Sequence, residues 1–162
     1  MEKNGRQIFI ETLSDLARKD PKIFLIVMDV GFSYIEDFAK EFPNQFLNCG
    51  VTEQSSMGIA AGMALSNYKI YIYSMIPFVT MRNYEQLRND VCYHNANVKV
   101  IGVQGSVHYR FLGFSHNIHP DDEDIKILGH LPNLKIYTPE LDEVREAVLE
   151  SYGLQNPCYI RL

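Results

Sequence analysis

Residues 46–74 read FLNCGVTEQSSMGIAAGMALSNYKIYIYS, and this stretch indicates a strand, a helix and a second strand in succession. Residues 46–49 form a short segment that starts apolar and is followed by Gly50, which predicts a strand that ends in a turn. Residues 53–65 predict a helix, and residues 69–74 alternate aromatic and aliphatic side chains as a strand does. A strand–helix–strand succession predicts parallel strands joined by a right-handed crossover.

The same alternation of strands and helices continues on both sides of this unit. It predicts an α/β fold with a mostly parallel sheet and helices on both faces, in one domain that covers residues 1–162. In such sheets ligands bind beyond the carboxyl ends of the strands. The further predicted strands are 23–27, 98–103, 134–137 and 158–162; the further predicted helices are 8–17, 34–42 with Ser33 as N-cap, 78–93, 121–128 and 140–152.

Composition excludes several classes of protein. Hydrophobic residues make up 46% and charged residues 22%, as in globular proteins, and the net charge of −5 argues against nucleic-acid binding. The longest apolar run, residues 23–27, is too short to cross a bilayer, and no signal peptide precedes it. The cysteines are odd in number, with no close pair, which favours free thiols in a reducing cytoplasm.

Glu53 is the first candidate functional residue because of the helix that it opens. A carboxylate in a first helical turn can simply complement the helix dipole. The helix is unusual, however, because each of two internal glycines costs about 1 kcal/mol relative to alanine. Close packing by a second subunit or a flat cofactor would explain such a helix, and would withdraw Glu53 from water. The small residues are Ser55, Ser56, Gly58, Ala60, Ala61, Gly62 and Ala64.

Asn48–Gln54 and the small-residue helix after them resemble the pyrimidine-binding domain of transketolases, which are thiamine-diphosphate-dependent enzymes. In that family the motif reads roughly N-x-G-I/V-x-E-Q/H and is followed by a helix of small residues. The likeness runs in collinear order from about Asp29 to the end of the sequence. It includes residues 57–62, 77–80, 82, 84–90, 97–100, 113–116, 123–125, 131–134, 138–139 and 157–162.

The resemblance implies a cofactor-binding role for five residues. Glu53 would hydrogen-bond N1′ of the aminopyrimidine ring of thiamine diphosphate, and proton transfer there would promote loss of the thiazolium C2 proton. Phe78 matches an aromatic residue around the pyrimidine, Arg82 follows the family pattern, and Asp29 matches an acidic position near the cofactor. Met75 stands where the family often has a second phenylalanine. The alternatives are a core role for Phe78, a solvated Arg82 and a capping role for Asp29.

His116 is the candidate that would contact the substrate. A Gly-x-Ser/Thr-His stretch in transketolases brings a histidine to the sugar near the reacting carbonyl, and the alternative is a surface-loop histidine. His108 and His119 match no family role. A zinc site made of these three histidines would be conceivable, but no cysteine lies near them, so we predict no metal site on this chain.

The sequence departs from the transketolase pattern in two respects. Phe111 and Leu112 occupy the places of an acidic pair that binds a sugar hydroxyl, which leaves the substrate open. The Gly-Asp-Gly stretch that marks the diphosphate-binding domain is absent, so Mg²⁺ and the diphosphate would be bound by a partner domain, in a split protein or one from which this domain is excised.

The function predicted is therefore the pyrimidine-binding component of a split transketolase-like enzyme. It would transfer a two-carbon ketol unit between sugars such as sugar phosphates, within a homo- or hetero-oligomer that includes a companion subunit, and without nucleic-acid or membrane partners. A part of a decarboxylating enzyme similar to deoxyxylulose-phosphate synthase is one alternative. A non-catalytic partner subunit is the other.

Overall fold

A sheet of parallel strands organises this computed structural model, which describes residues 3–105, 110–119 and 122–162. Within that part of the chain the sheet has six strands in the order β2-β1-β3-β4-β6-β5, and every neighbouring pair is parallel. The predicted α/β class and its largely parallel sheet are confirmed. The strands are β1 (Ile23–Val27), β2 (Phe46–Asn48), β3 (Lys69–Met75), β4 (Val98–Val103), β5 (Lys135–Tyr137) and β6 (Cys158–Arg161).

Helices connect these strands and cover the sheet. The α-helices are α1 (Gly5–Ala17), α2 (Glu36–Glu41), α3 (Glu53–Leu65), α4 (Ile76–Thr80), α5 (Tyr84–Gln86), α6 (Glu123–Leu128) and α7 (Val144–Gly153). A π-helix, Leu87–Cys92, continues directly from α5. Short 3₁₀ turns occupy Arg110–Ser115, with a kink at Gly113, and Leu141–Glu143.

The strands are mostly apolar because both faces of the sheet are covered. In β1, Leu25 and Val27 pack on one face against α1, α2 and α7. Ile26 points to the other face, where α3, the π-helix and α6 pack. Each aliphatic side chain buried in this way contributes roughly 1.5–3 kcal/mol relative to an exposed one. The prediction of helices on both faces is confirmed.

The start of α2 differs from the prediction. Ser33 does not cap the helix, because α2 begins at Glu36 and Ser33 has a positive φ of 71°. The capping direction is reversed: the Ser33 backbone N–H donates to Glu36 Oε1 at 2.8 Å. The predicted helix 140–152 also starts differently. It begins with a 3₁₀ turn and becomes α-helical only at Val144. Asp121, the predicted start of α6, lies outside the described residues.

The predicted helix 78–93 is wrong, because the chain there is divided into α4, α5 and the π-helix. The first of these segments, α4, begins at Ile76, before the predicted start. Pro77 lies in its first turn, where the missing N–H of proline costs nothing. The break falls at Asn83, whose φ of −119° and ψ of 23° are not helical. Asn83 is fully buried, and its side-chain amide donates to the backbone oxygen of Glu53 at 3.4 Å. A long-range contact therefore overrides the local helical pattern.

The remaining predictions about membranes and thiols have partial answers. In the part of the chain that is described, no helix is both long and apolar enough to span a bilayer. The three cysteines are free thiols. Burial raises the pKa of Cys92 and of Cys158 to about 12, so both thiols stay protonated and unreactive near neutral pH.

Gly102 in β4 tests the packing of the sheet. A Cβ there would lie 2.5–2.9 Å from the ring and hydroxyl of Tyr159, which is fully buried and hydrogen-bonded to Asp124 at 2.6 Å. We expect Gly102→Ala to lower the free energy of unfolding in urea by about 1–3 kcal/mol, since overpacking forces this ring to move. Gly153→Ala is the matched control, because its Cβ would meet no described atom within 4 Å. Equal stability of the two variants would contradict this view of the sheet.

Candidate functional site

A cleft of about 430 Å³ opens at the carboxyl edge of the sheet, beyond β1, β3 and β4. All the predicted site residues line this cleft, although they come from segments far apart in the sequence. They are Asp29, Glu53, Met75, Phe78, Arg82 and His116. The structure therefore brings these six residues together at one end of the sheet, and their roles stay predictions.

The turn after β1 forms one wall of the cleft. Asn48 Oδ1 accepts hydrogen bonds from the backbone N–H of Asp29 at 3.1 Å and of Gly50 at 3.0 Å, which ties the ends of β1 and β2 together. Asp29 has a positive φ of 55° and lines the cleft, and it does not cap α2, whose N-cap is Ile35. Gly31 is required here, because its φ is 95° and a Cβ would lie 3.0 Å from both Ile35 and Tyr73.

Glu53 is the buried charge of the site. It is the first residue of α3, and its side chain is only 9% exposed. Its Oε1 accepts a hydrogen bond from Arg82 Nη1 at 2.7 Å, and among the described residues none donates to Oε2. An ionised carboxylate that has left water needs a partner of this kind, because an unpaired one would be costly. Since Glu53 lines the cleft, Oε2 is left as a second acceptor for a bound molecule.

Arg82 and His116 both contact the ring of Phe78 in the cleft. The Arg82 guanidinium lies 3.7 Å from the centroid of the Phe78 ring, which holds the cation in place by electrostatic attraction to the ring face. His116 meets the same ring edge-on at a centroid distance of 4.9 Å. The alternatives for these residues were a solvated Arg82 and a core role for Phe78. Arg82 is half exposed, but it also forms an ion pair with Glu53. Phe78 is only 6% exposed, but it also lines the cleft.

Apolar side chains make up most of the remaining wall. Met75, the last residue of β3, is 6% exposed and lines the cleft, as does Leu112 from the segment that follows β4. Phe111, its neighbour, points outward and is 81% exposed. A buried carboxylate beside an aromatic and aliphatic wall is able to bind a flat heteroaromatic ring that carries a hydrogen-bonding nitrogen.

Several lining residues were missed by sequence reasoning, among them Arg6 and Tyr73. Arg6 reaches the cleft from the first turn of α1 and donates to the backbone oxygen of Gln104. Nothing local in the sequence indicates this position, because it depends on how α1 crosses the sheet. Tyr73 also lines the cleft. The alternation of β3 toward its carboxyl end could have identified it.

The other histidines within the described residues do not line the cleft. His119 makes an edge-on contact with Phe114 at 5.6 Å, away from the Phe78 ring. His108, one of the three histidines of the zinc alternative, lies outside the described residues. Across residues 3–105, 110–119 and 122–162, no group of three or more histidine, cysteine, aspartate or glutamate side chains could hold a metal ion.

Comparison with known proteins identifies the family of this chain. The model of the family described as "Transketolase, pyrimidine binding domain" matches residues 2–162. The chain is 37% identical over 160 residues to a subunit of the apulose-4-phosphate transketolase of Phocaeicola vulgatus, covering 97% of this chain and 50% of that protein. It is 38% identical over 131 residues to 1-deoxy-D-xylulose-5-phosphate synthase of Bacillus velezensis, covering 80% of this chain and 20% of that protein.

A solved structure supports the same fold. It is described as a split gene transketolase in an inactive beta4 tetramer, and it superposes with a TM-score of 0.86 at 31% identity. The match covers 99% of this chain and 51% of that one. The chain thus spans about half the length of these two transketolase relatives.

A double-mutant cycle tests the contact at the centre of the site. We expect Glu53→Gln and Arg82→Gln to show a coupling of about 1 kcal/mol in urea unfolding, because one partner is buried and the other is half exposed to screening solvent. The control cycle uses the ion pair of Lys3 and Glu11. Its N···O distance is a similar 2.6 Å, and its side chains are 59% and 53% exposed. Its coupling should stay within roughly 0.5 kcal/mol of zero. A coupling at Glu53 no larger than the control would mean that this contact is merely a solvated one.

Proposed function

Because this chain belongs to the transketolase pyrimidine-binding-domain family, we propose that it is the pyrimidine-binding component of a split, thiamine-diphosphate-dependent transketolase-like enzyme. It would transfer a two-carbon ketol unit between sugars or sugar phosphates. The observation that carries the proposal is the buried Glu53 carboxylate, which lines the cleft beside aromatic and aliphatic side chains. The Phocaeicola vulgatus relative, which is named as one subunit of a transketolase, supports a ketol-transfer reaction in a protein made of more than one chain.

The residues of the cleft fit the aminopyrimidine ring of thiamine diphosphate. Phe78 and Met75 would pack against the flat ring, and Glu53 Oε2 would meet a ring nitrogen within hydrogen-bonding range. When bound, the cofactor supplies an acidic carbon and an electron sink for the reaction. Asp29 and Arg82, which line the same cleft, would border the ring.

Glu53 has the central role in this mechanism. Its carboxylate would hydrogen-bond N1′ and share a proton with it, because a carboxylate shielded from water can act as a proton donor or acceptor toward a weakly basic nitrogen. Arg82 holds one carboxylate oxygen at 2.7 Å and so fixes the direction of the other. His116, which contacts the same Phe78 ring as Arg82 does, would contact the substrate.

A companion chain would complete the active site. The diphosphate and Mg²⁺ would be bound by a domain that carries the Gly-Asp-Gly stretch, which this sequence does not contain. The relative described as a split gene transketolase supports such a division. The present chain would therefore act within a homo- or hetero-oligomer in the cytoplasm, as one domain of it.

The small-residue face of α3 is the proposed contact with another subunit. Gly62 is exposed and Gly58 is partly exposed, and an added Cβ at either would meet no described atom within 4 Å. Ile59 and Leu65 on the same helix are 43% and 62% exposed. Glycines here allow a second backbone to approach closely, which would compensate for their cost to the helix.

A decarboxylating enzyme is the second candidate. The 38% identity to a 1-deoxy-D-xylulose-5-phosphate synthase favours it, although that match covers less of the chain. Leu112 in the cleft weakens binding of a polyhydroxy sugar, since its side chain offers no acceptor for a hydroxyl. Sugar-to-sugar ketol transfer and release of carbon dioxide, both measured on the reconstituted enzyme, distinguish the two reactions.

Gly62→Leu tests the proposed interface. Gly62 is exposed and an added Cβ would meet no described atom within 4 Å, so we expect an unchanged fold by circular dichroism. Assembly measured by sedimentation velocity, alone and with the companion chain, should weaken at least about tenfold, because an added side chain prevents close approach. Gly62→Ala is the control, and it should assemble nearly as the wild type does. Unchanged assembly of Gly62→Leu would place the interface elsewhere.

Glu53→Gln tests the proposed function itself. The amide keeps the shape of the side chain but loses the charge that would draw a proton toward N1′. We expect the rate of cofactor C2–H/D exchange in the reconstituted complex to fall about 10²–10⁴-fold, measured by quenched NMR with cofactor saturating. Glu11→Gln, on an exposed face of α1, is the matched control. Exchange as fast as in the wild type would leave Glu53 as a helix-terminal carboxylate and favour the non-catalytic alternative.

A further inference from the structure

Ser115 stands directly beside His116 and contacts its ring. The distance between Ser115 Oγ and His116 Nδ1 is 2.7 Å, which is a short hydrogen bond. Ser115 Oγ also lies 3.1 Å from the backbone oxygen of Leu112, in geometry suited to donation. Both contacts lie within the kinked segment that carries His116, and the His116 backbone N–H donates to Gly113 O at 3.2 Å.

The two contacts of Ser115 together determine where the imidazole hydrogen lies. A serine hydroxyl has one hydrogen to donate and two lone pairs to accept with. The backbone oxygen of Leu112 can only accept, so the Ser115 hydrogen is directed to it. Ser115 Oγ then has to accept from His116, which requires the hydrogen of the neutral imidazole to be on Nδ1. The opposite arrangement would satisfy only one of the two contacts.

We propose that Ser115 is a positioning residue that holds His116 in the Nδ1–H tautomer, so that Nε2 acts as a hydrogen-bond acceptor toward a substrate hydroxyl. The ring is also fixed by its edge-on contact with Phe78 at 4.9 Å, within the cleft that holds Glu53. A nitrogen without its own hydrogen cannot donate to a carbonyl, a carboxylate or a phosphate oxygen. The group that meets His116 therefore has to be a hydrogen-bond donor, as a substrate hydroxyl is.

This inference rests on the proposed function only for the identity of the molecule in the cleft, and it specifies the class of that molecule. A sugar or another polyol carries hydroxyl donors, whereas a simple keto acid offers only acceptor oxygens at neutral pH. Leu112 takes part through its backbone oxygen, while its apolar side chain lines the cleft. His116 would thus bind a hydroxyl of the substrate, and the cleft wall beside His116 would be the apolar side chain of Leu112.

The tautomer can be measured without any activity. Long-range ¹H–¹⁵N correlation spectra of the full chain at about pH 8, where an unperturbed imidazole is neutral, identify the nitrogen that bears the hydrogen. The His116→Gln variant assigns the signals among the five histidines. We expect Nδ1–H in the wild type and in Ser115→Thr, which keeps the hydroxyl. Ser115→Ala should return His116 to the Nε2–H form that predominates for imidazole side chains in water.

Kinetics on the reconstituted complex then separate this inference from the proposed function. With xylulose 5-phosphate as the probe, kcat/KM should fall about tenfold in Ser115→Ala, equivalent to one hydrogen bond, and recover in Ser115→Thr. The rate of cofactor C2–H/D exchange should be unchanged, because Ser115 does not contact Glu53. An Nε2–H wild type, or an Nδ1–H Ser115→Ala variant, would overturn the inference. Absence of C2 exchange in the wild type would instead refute the proposed function and leave the tautomer result standing.

Discussion

The site depends on how one buried carboxylate is compensated. Glu53 is nearly withdrawn from water, and Arg82 bonds it at 2.7 Å while stacking on the Phe78 ring. A carboxylate in this position would be unstable without a cation, and the cation would be mobile without the ring. The contact joins the start of α3 to the segment after α4, and so it fixes the distance between two connections of the sheet.

The parallel sheet makes this arrangement possible. Its strands end at one edge, so the turn after β1, the start of α3 and the segments after β3 and β4 converge there. Asn48 links the first two of these by accepting from Asp29 and Gly50. The break at Asn83 serves the same site, because its buried amide contacts the Glu53 backbone while Arg82 contacts the side chain. A regular helix through these residues would not direct both groups to Glu53.

The cleft is divided chemically. One part contains ionic and aromatic groups, namely Glu53, Arg82, Phe78 and His116, and another part is apolar, with Met75 and Leu112. The first part suits the common chemistry of the transketolase family, to which the chain belongs. The second differs from the acidic pattern expected of a sugar-binding wall. Relatives that match this chain in sequence are named for different substrates or reactions.

The sequence by itself determined the fold class and identified six residues that the structure brings together in one cleft. Continuous apolar strands such as 23–27 occur where both faces of a sheet are buried, and the motif around Glu53 is contiguous in the chain. Only the tertiary structure decided the break at Asn83, the reversed cap at Ser33 and the presence of Arg6 in the cleft. Each of these depends on a contact between residues distant in sequence or on local strain that a hydrogen bond offsets. Local patterns carry no information about such contacts, because periodicity records only which face of an element is buried.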